Sequence, residues 1–150
     1  MHSLDTLFLD RDGVINVKLE ERYVRNSNEF EFMQGALVAI SKLSKLFKRI
    51  LIVTNQQGIG KGIMTEDDLN LLHSFMTSEI GKLNGKIDKI YFCPHLDTEN
   101  CNCRKPNPGM INQAIADFPD IDCQNSYLIG DSDSDIEAGN RMNLNTVKVD

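Results

Sequence analysis

The chain has 150 residues, of which 41% are hydrophobic and 25% charged, enough to bury the core of one domain. It contains only 10 glycines and 4 prolines, so a disordered or fibrous protein is not expected. Sixteen basic and 22 acidic residues give a formal net charge of −6, which disfavours nucleic-acid binding through a broad basic face. No apolar run approaches the roughly 18 residues of a membrane span. Because Asp5 and Asp10 fall where a secretory signal would be basic and then apolar, we expect one cytoplasmic domain over residues 1–150.

Short apolar runs that end at polar residues predict buried strands. In chain order these runs are 7–9, 50–53, 90–92 and 127–129, with 146–149 as a fifth strand. Apolar residues at helical spacing predict helices between the strands, at 36–47, 69–80, 110–118 and about 134–142. This alternation predicts an α/β fold with a mainly parallel sheet and helices on both faces.

Two helix starts carry local signals. Thr65 and Asp68 have the spacing of a capping box. Asn107 followed by Pro108 predicts a cap with proline at the first helical position.

Two segments are predicted to be loops near the ends of the strands. Residues 13–32 show no helical period, which indicates a hairpin or a flap. The glycine-rich run 58–62 lacks the spacing of nucleotide-binding loops, so we interpret it as a flexible turn into the next helix.

Carboxylates follow two of the predicted strands. Asp10 and Asp12 come directly after the first strand, and Asp131 follows the fourth. The carboxyl ends of parallel strands share one edge of a sheet, so these groups should converge there. Three converging carboxylates would repel each other unless a hard cation joined them, which predicts Mg²⁺. The alternative for Asp10 and Asp12 alone is an ordinary acidic loop.

This set of residue types suits phosphate chemistry. A carboxylate beside a metal can attack phosphorus and form an aspartyl-phosphate, while a neighbouring acid protonates the leaving oxygen. A hydroxyl, a backbone amide and a lysine can hold the phosphoryl group, and Thr54, Asn55 and Lys105 offer them. None of the three histidines has a serine or cysteine companion in a recognisable nucleophile setting, which disfavours a Ser-His-Asp hydrolase.

A cluster of soft ligands predicts a second metal site. Cys93, His95, Cys101 and Cys103 fall within eleven residues and suit a closed, structural tetrahedral zinc site. In a reducing compartment this pattern favours metal over a disulfide framework. The alternative is three reduced loop cysteines with an incidental histidine.

The other notable side chains receive no catalytic role from the sequence. His73 is expected at the surface or the edge of the core, His2 is expected to be disordered, and Cys123 is expected to be inert. Arg11 either faces the substrate or pairs with the neighbouring aspartates.

Four motifs in this order resemble those of the haloacid dehalogenase superfamily of phosphatases. They are Asp10-Arg11-Asp12-Gly13-Val14, Thr54-Asn55-Gln56, Arg104-Lys105-Pro106 and Gly130-Asp131-Ser132-Asp133-Ser134-Asp135. The resemblance implies a Rossmann-like fold without a cap domain and with a zinc-binding loop at about 93–103. Within the superfamily, the chain is similar to the subfamily IIIA enzymes that hydrolyse D-glycero-D-manno-heptose 1,7-bisphosphate or histidinol phosphate.

The resemblance also implies roles in catalysis. Asp10 would be the nucleophile, and Asp12 would be the general acid and then the general base. Thr54 and Lys105 would hold the phosphoryl group. The remaining substrate contacts would come from Asn55, Gln56 and Arg104.

For Mg²⁺, the resemblance implies Asp10, Asp131 and the backbone carbonyl of Asp12 as ligands. It implies a supporting carboxylate at Asp135, and we expect Asp133 to face solvent. The implied partner is a small phosphorylated metabolite, and the lack of a cap is compatible with a monomer.

Two other functional classes use similar residues. A phospho-accepting signalling domain also places aspartates, a hydroxyl and a lysine on an α/β sheet, but it carries the accepting aspartate after a middle strand. A zinc-stabilised interaction module would not require every catalytic residue type to be present.

The sequence gives conflicting indications of the substrate. The motif starting at Asp12, the pair Tyr23-Val24 and the segment after Thr54 are closer to the heptose enzymes. The short spacing from Cys93 to Cys103 is closer to the histidinol phosphate enzymes. Both groups usually carry a cation where this chain has Ser132, and Gln57 replaces a frequent small serine. We favour the sugar bisphosphate.

Overall fold

The computed structural model describes residues 4–150, so His2 lies outside the described residues. Five strands form one sheet in the order β3-β2-β1-β4-β5, and every neighbouring pair is parallel. The strands are β1 (Leu4–Leu9), β2 (Phe47–Asn55), β3 (Lys89–Cys93), β4 (Tyr127–Gly130) and β5 (Asn145–Lys148). The predicted α/β class and the parallel sheet are therefore confirmed.

Helices cover both faces of the sheet. They are α1 (Ala36–Leu46), α2 (Gln57–Gly60), α3 (Glu66–Lys82), α4 (Gly109–Asp117) and α5 (Asp133–Arg141). Alternate residues of β1 point to opposite faces, so Leu7 and Leu9 join the core beneath α1 and α3 while Phe8 joins the core beneath α4 and α5. Among residues 4–150, no helix combines the length and apolar character needed to cross a bilayer.

Two predicted helix boundaries were wrong. Phe47 was expected to end the first helix, but it opens β2 and packs edge-on against the Tyr127 ring, with centroids 5.9 Å apart. Helix α4 begins at Gly109, one residue later than predicted, and its N-cap is Pro108. The Asn107 side chain does not cap the helix: its Oδ1 accepts from Arg141 Nη1 at 3.1 Å, and its amide nitrogen donates to the Cys101 carbonyl oxygen at 2.8 Å.

Residues 13–32 form a flap beside the carboxyl edge of the sheet, but within them no hairpin is present. Only isolated bridges occur, from Asn16 to Asp12 and to Phe32. Buried Ile15, Val24 and Phe30 instead attach the flap to the core beneath α1 and α3. Their burial depends on contacts with distant residues, which a local periodicity does not reveal.

The glycine-rich run leads into α3 as expected, and its backbone is hydrogen-bonded to a neighbouring loop. It starts as the single helical turn α2, and the Gly60 amide donates to the Pro94 carbonyl oxygen at 3.0 Å. The Gln56 amide likewise donates to the Cys93 carbonyl oxygen at 2.7 Å. These bonds fix the turn against the loop that follows β3.

The capping box at the start of α3 is confirmed. The Thr65 hydroxyl accepts from the Asp68 amide at 3.0 Å, and the Asp68 carboxylate accepts from the Thr65 amide at 2.9 Å. Two amides that the first helical turn leaves unpaired are thereby satisfied.

We predict that Thr65→Ala lowers the free energy of unfolding by about 1 kcal/mol, because it removes one half of this box. The melting temperature should fall by about 2–4 °C, measured by calorimetry. Ser78→Ala, at an exposed position of the same helix, is the matched control and should cause no loss. Equal destabilisation by both variants would contradict the assignment.

Candidate active site

The polar ends of three strands meet at one edge of the sheet. Asp10 follows β1, Asn55 ends β2, and Asp131 follows β4. All three line one cleft of about 580 Å³ together with Lys105. The predicted convergence of distant residues at this edge is therefore observed.

A buried lysine joins two carboxylates on the floor of the cleft. The Lys105 ammonium donates to Asp10 Oδ1 and to the Val53 carbonyl oxygen, both at 2.9 Å. It also forms an ion pair with Asp135 Oδ1. The other oxygen of Asp135 accepts from the Ser132 amide at 3.1 Å and from the Ser132 hydroxyl at 2.9 Å. Asp135 therefore connects the start of α5 to the lysine.

Burial and charge act against each other in this cluster. Burial raises the pKa of Asp10 to about 7, and the nearby charges of Asp135 and Asp12 add to this shift while Lys105 opposes it. For Lys105, burial favours the neutral amine, but the charges of Asp10 and Asp135 outweigh it and hold its pKa above the usual value. The lysine is therefore an ammonium.

The carboxylates of this floor fit a divalent cation. Oxygens of Asp10, Asp131 and Asp135 lie within 4.8 Å of one another. Three carboxylates and the Lys105 ammonium sum to −2 when all are ionised (−3 plus +1), which matches the charge of Mg²⁺. Asp135, expected only as a supporting carboxylate, lies in this group of potential ligands.

Gly13 makes room for one of these carboxylates. Its φ of 89° lies in the left-handed region, and a Cβ there would overlap the Asp131 side chain. The acidic loop after β1 can therefore lie directly against the acid that follows β4.

Hydrogen bonds fix the orientation of Asp12. Its Oδ1 accepts from Arg11 Nη2 and Asn16 Nδ2, each at 2.9 Å, and its Oδ2 accepts from Gln56 Nε2 at 3.1 Å. Burial alone would raise the pKa of Asp12, but the Arg11 charge and these donors outweigh it and leave the pKa below its usual value.

Two of the four predicted substrate-contacting side chains line the cleft, and one more pair, including the predicted phosphoryl contact Thr54, is buried. Asn55 and Arg104 line the cleft, and the Asn55 side chain holds Lys105 by accepting from its amide at 3.1 Å. Thr54 and Gln56 are both 1% exposed and lie behind the cleft lining. Gln56 Nε2 donates to Thr54 Oγ1 at 2.9 Å, which leaves the threonine proton free to donate elsewhere.

Sequence reasoning did not identify several residues of the cleft. The flap contributes Lys18 and Arg22, and Lys61 follows α2. No motif marks them, because their place depends on the path of the flap. Asp135 did carry a signal, because Ser132 and Asp135 have capping-box spacing, and the Asp135 carboxylate accepts from the Ser132 amide. Asp133 faces solvent as expected, with a side chain 95% exposed.

The four predicted zinc ligands lie together beside the cleft. His95 Nδ1 is 3.5 Å from Cys93 Sγ and 3.2 Å from Cys103 Sγ, and Cys101 Sγ is 3.5 and 3.8 Å from the same two sulfurs. Two thiolates on one tetrahedral zinc lie about 3.8 Å apart. Cys93 and Cys103 depart from this, because their sulfurs are in disulfide contact. The four donors fit a zinc ion. A disulfide between Cys93 and Cys103 is the alternative state of this cluster.

Comparisons with known proteins agree with this architecture. A family model described as HAD-hydrolase-like matches residues 102–150. The chain is 44% identical over 145 residues to the D-glycero-alpha-D-manno-heptose-1,7-bisphosphate 7-phosphatase of Campylobacter jejuni, covering 94% of this chain and 79% of that protein. It is 40% identical over 136 residues to the enzyme of the same name from Mycobacterium tuberculosis, covering 91% and 72%.

A relative from Helicobacter pylori and a crystal structure extend the comparison. The D-glycero-beta-D-manno-heptose-1,7-bisphosphate 7-phosphatase of H. pylori is 39% identical over 140 residues, covering 93% of this chain and 79% of that protein. The D,D-heptose 1,7-bisphosphate phosphatase from B. bronchiseptica, complexed with magnesium and phosphate, superposes with a TM-score of 0.89 at 30% identity, covering 95% and 79%. The chain is a phosphatase that belongs to the haloacid dehalogenase-like family, alongside the heptose-1,7-bisphosphate 7-phosphatases.

Proposed function

We propose that this chain is a single catalytic domain that hydrolyses a phosphomonoester of a sugar bisphosphate, D-glycero-D-manno-heptose 1,7-bisphosphate, through an aspartyl-phosphate. The observation that carries the proposal is the buried arrangement of Asp10, Lys105 and Asp135 beside Asp131 at the edge of the sheet. This arrangement would supply a carboxylate nucleophile, Asp10, and a positioned ammonium, Lys105, in one cleft.

The residues divide the reaction into two displacements. An oxygen of Asp10 attacks phosphorus and the bond to the sugar oxygen breaks, while Asp12 gives that oxygen a proton. The pKa of Asp12 is low in the free chain, so Asp12 must enter this step already protonated, with a proton taken up as the substrate binds. Water then attacks the phosphorus of the aspartyl-phosphate, Asp12 takes the proton from the water, and inorganic phosphate leaves with Asp10 restored. Lys105, the Thr54 hydroxyl and the Asn55 amide would stabilise the charge that develops on the phosphoryl oxygens.

Mg²⁺ would be held by Asp10 and Asp131, with the Asp12 backbone carbonyl as the third expected ligand and Asp135 within reach. When bound, it would neutralise phosphoryl charge and offset the repulsion between the carboxylates. Asp10, whose pKa burial raises to about 7, would then be ionised and ready to attack.

The outer wall of the cleft favours a bisphosphate. Lys18, Arg22, Lys61 and Arg104 line it, and the acidic side chain on that wall is Glu21. Lys18, Arg22 and Lys61 are exposed, unlike the buried Lys105 that would serve the reacting phosphate, so they can attract a second phosphate. They also stand in for the cation missing at Ser132. Histidinol phosphate carries a positively charged amine instead and would meet repulsion there.

The cysteine and histidine cluster would hold a structural zinc ion. Arg104 and Lys105 directly follow Cys103, so zinc would fix the loop that supplies the phosphate-binding lysine. Four protein ligands would complete the coordination shell of the zinc ion and leave no position for water. This site would therefore take no part in the hydrolysis of the phosphate. Thiolate ligation fits a cytoplasmic location, where thiols stay reduced.

We predict that the wild-type chain releases phosphate from heptose 1,7-bisphosphate with a kcat/KM at least about 10-fold above that for histidinol phosphate, a gap of about 1.4 kcal/mol. Both anomers should be assayed, because relatives of each specificity resemble the chain. Asp10→Asn should lower kcat by more than about 1,000-fold, since it removes the nucleophile. A larger kcat/KM for histidinol phosphate would overturn the substrate, and durable phosphorylation of Asp10 without phosphate release would favour a signalling role.

A second prediction tests the magnesium ligands. Asp131→Asn should raise the Mg²⁺ concentration for half-maximal activity by about 10-fold or more, because it weakens one of few charged ligands. Asp133→Asn changes a neighbouring but exposed carboxylate and should leave the Mg²⁺ requirement unchanged. Identical Mg²⁺ titrations for the two variants would contradict the assignment.

A third prediction separates zinc from a disulfide. The native protein should contain one zinc per chain, and a chelator alone should make Cys93 and Cys103 react with a thiol reagent, without reductant. Cys101→Ser should lose zinc, whereas Cys123→Ser, outside the cluster, should keep it. Thiols that appear only after reduction, with no zinc bound, would establish the disulfide instead.

A further inference from the structure

Arg11 is a fully buried cation that does not reach the cleft. Its exposure is 0%, and it is not among the cleft-lining residues. The guanidinium lies between two side chains: Nη1 is 3.0 Å from His73 Nε2 and Nη2 is 2.9 Å from Asp12 Oδ1. The Phe30 ring packs 5.9 Å from its central carbon. Arg11 therefore acts on Asp12 rather than on the substrate.

His73 must be the acceptor in its contact with Arg11. A guanidinium carries only donors, so the imidazole accepts at Nε2 and carries its proton on Nδ1. Burial and then the Arg11 charge lower the pKa of His73 to about 3, which keeps the ring neutral. His73 is only 6% exposed, on α3, far along the chain from Arg11.

The hydrogen bonds of Asp12 distinguish its two oxygens. Oδ1 accepts from both Arg11 and Asn16, whereas within the described part of the chain Oδ2 accepts only from Gln56. Oδ2 therefore keeps the free capacity to carry a proton. This division requires Arg11 to stay in place, and its Nε atom has no hydrogen-bond partner among residues 4–150. His73 supplies the acceptor that holds the far end of the guanidinium.

We propose that His73 is a positioning residue for the acid and base Asp12, acting through Arg11 across the interface between α3 and the loop after β1. The proposal rests on the proposed function, in which Asp12 protonates the leaving oxygen. Without the His73 acceptor, a buried guanidinium nitrogen would lose its partner, and Arg11 would turn away from Asp12 to find another. Asp12 Oδ2 would then no longer point steadily at the leaving group.

The leaving group provides the test. An alkyl phosphate such as the heptose substrate needs its leaving oxygen protonated, whereas p-nitrophenyl phosphate releases a stable anion. We would measure single-turnover cleavage of both substrates by rapid quench, with substrate affinity from the concentration dependence. His73→Leu should slow cleavage of the alkyl phosphate by about 10-fold or more, and of p-nitrophenyl phosphate by less than about 3-fold. Affinity should change by less than about 2-fold.

Three further variants make this test specific. His73→Gln can place an oxygen near the former Nε2 and should restore alkyl phosphate cleavage to within about 3-fold of wild type. The asparagine side chain of His73→Asn is too short to do so, and this variant should behave like His73→Leu. His73→Asn therefore replaces His73→Leu in the test if the leucine variant does not fold. In an Arg11→Met background, His73→Leu should add little, because the two residues act in one chain of contacts.

Ile80→Ala is the control for lost stability. It opens a cavity in the same helix, at a residue 1% exposed and about two turns from His73. It should lower the melting temperature without a difference between the two substrates. Equal slowing of both substrates by His73→Leu, or no slowing of either, would overturn the positioning role. If the wild-type enzyme cleaved neither substrate, the proposed function would fall first, and this inference with it.

Discussion

The active-site floor depends on the Lys105 ammonium and its three acceptors. Asp10 lies after β1, Val53 is in β2 and Asp135 is in the first turn of α5, so one side chain joins three separate elements. A charge this deeply buried is tolerated only when its partners satisfy it. The same contacts that make the ammonium stable also orient Asp10, the proposed nucleophile, so folding and the proposed chemistry impose one requirement on this edge of the sheet.

Close approach of the carboxylates to the strand ends depends on two glycines. Gly13 lets Asp131 pack against the first acidic loop, and a Cβ at Gly130 would overlap Asp135. Two acids from β4 and α5 thus reach the position of Asp10, where a cation can join them. Their mutual repulsion disfavours this arrangement without a counter-ion, so metal binding and the geometry of the floor support each other.

Much of the fold and of this floor could be predicted from the sequence. Buried strands are apolar runs, and parallel strands bring their carboxyl ends together, so the meeting of Asp10 and Asp131 could be predicted from the strand pattern. Phe47 was misplaced because an apolar residue at helical spacing also suits the first position of a strand.

Other features depend on contacts that no local pattern encodes. Of the two alternatives expected for 13–32, a hairpin or a flap, the structure shows the flap, in which Val24 and Phe30 pack into the core. His73 occupies a position on α3 typical of a core residue, and its link to Asp12 exists only through Arg11. Such links join residues that are distant in sequence, and only the packed chain reveals them.

The floor and the outer wall of the cleft are built on different physical principles. The floor consists of buried ion pairs, whose geometry cannot shift without leaving a charge unpaired. The wall carries exposed cations on loops, which are joined by Gln57: its Nε2 donates to the Tyr23 hydroxyl at 2.9 Å and its Oε1 accepts from the Asp97 amide at 3.1 Å. Exposed charges tolerate substitution far better than buried pairs. The wall can therefore accept substitutions more readily, whereas the arrangement of the floor is tied to the core of the fold.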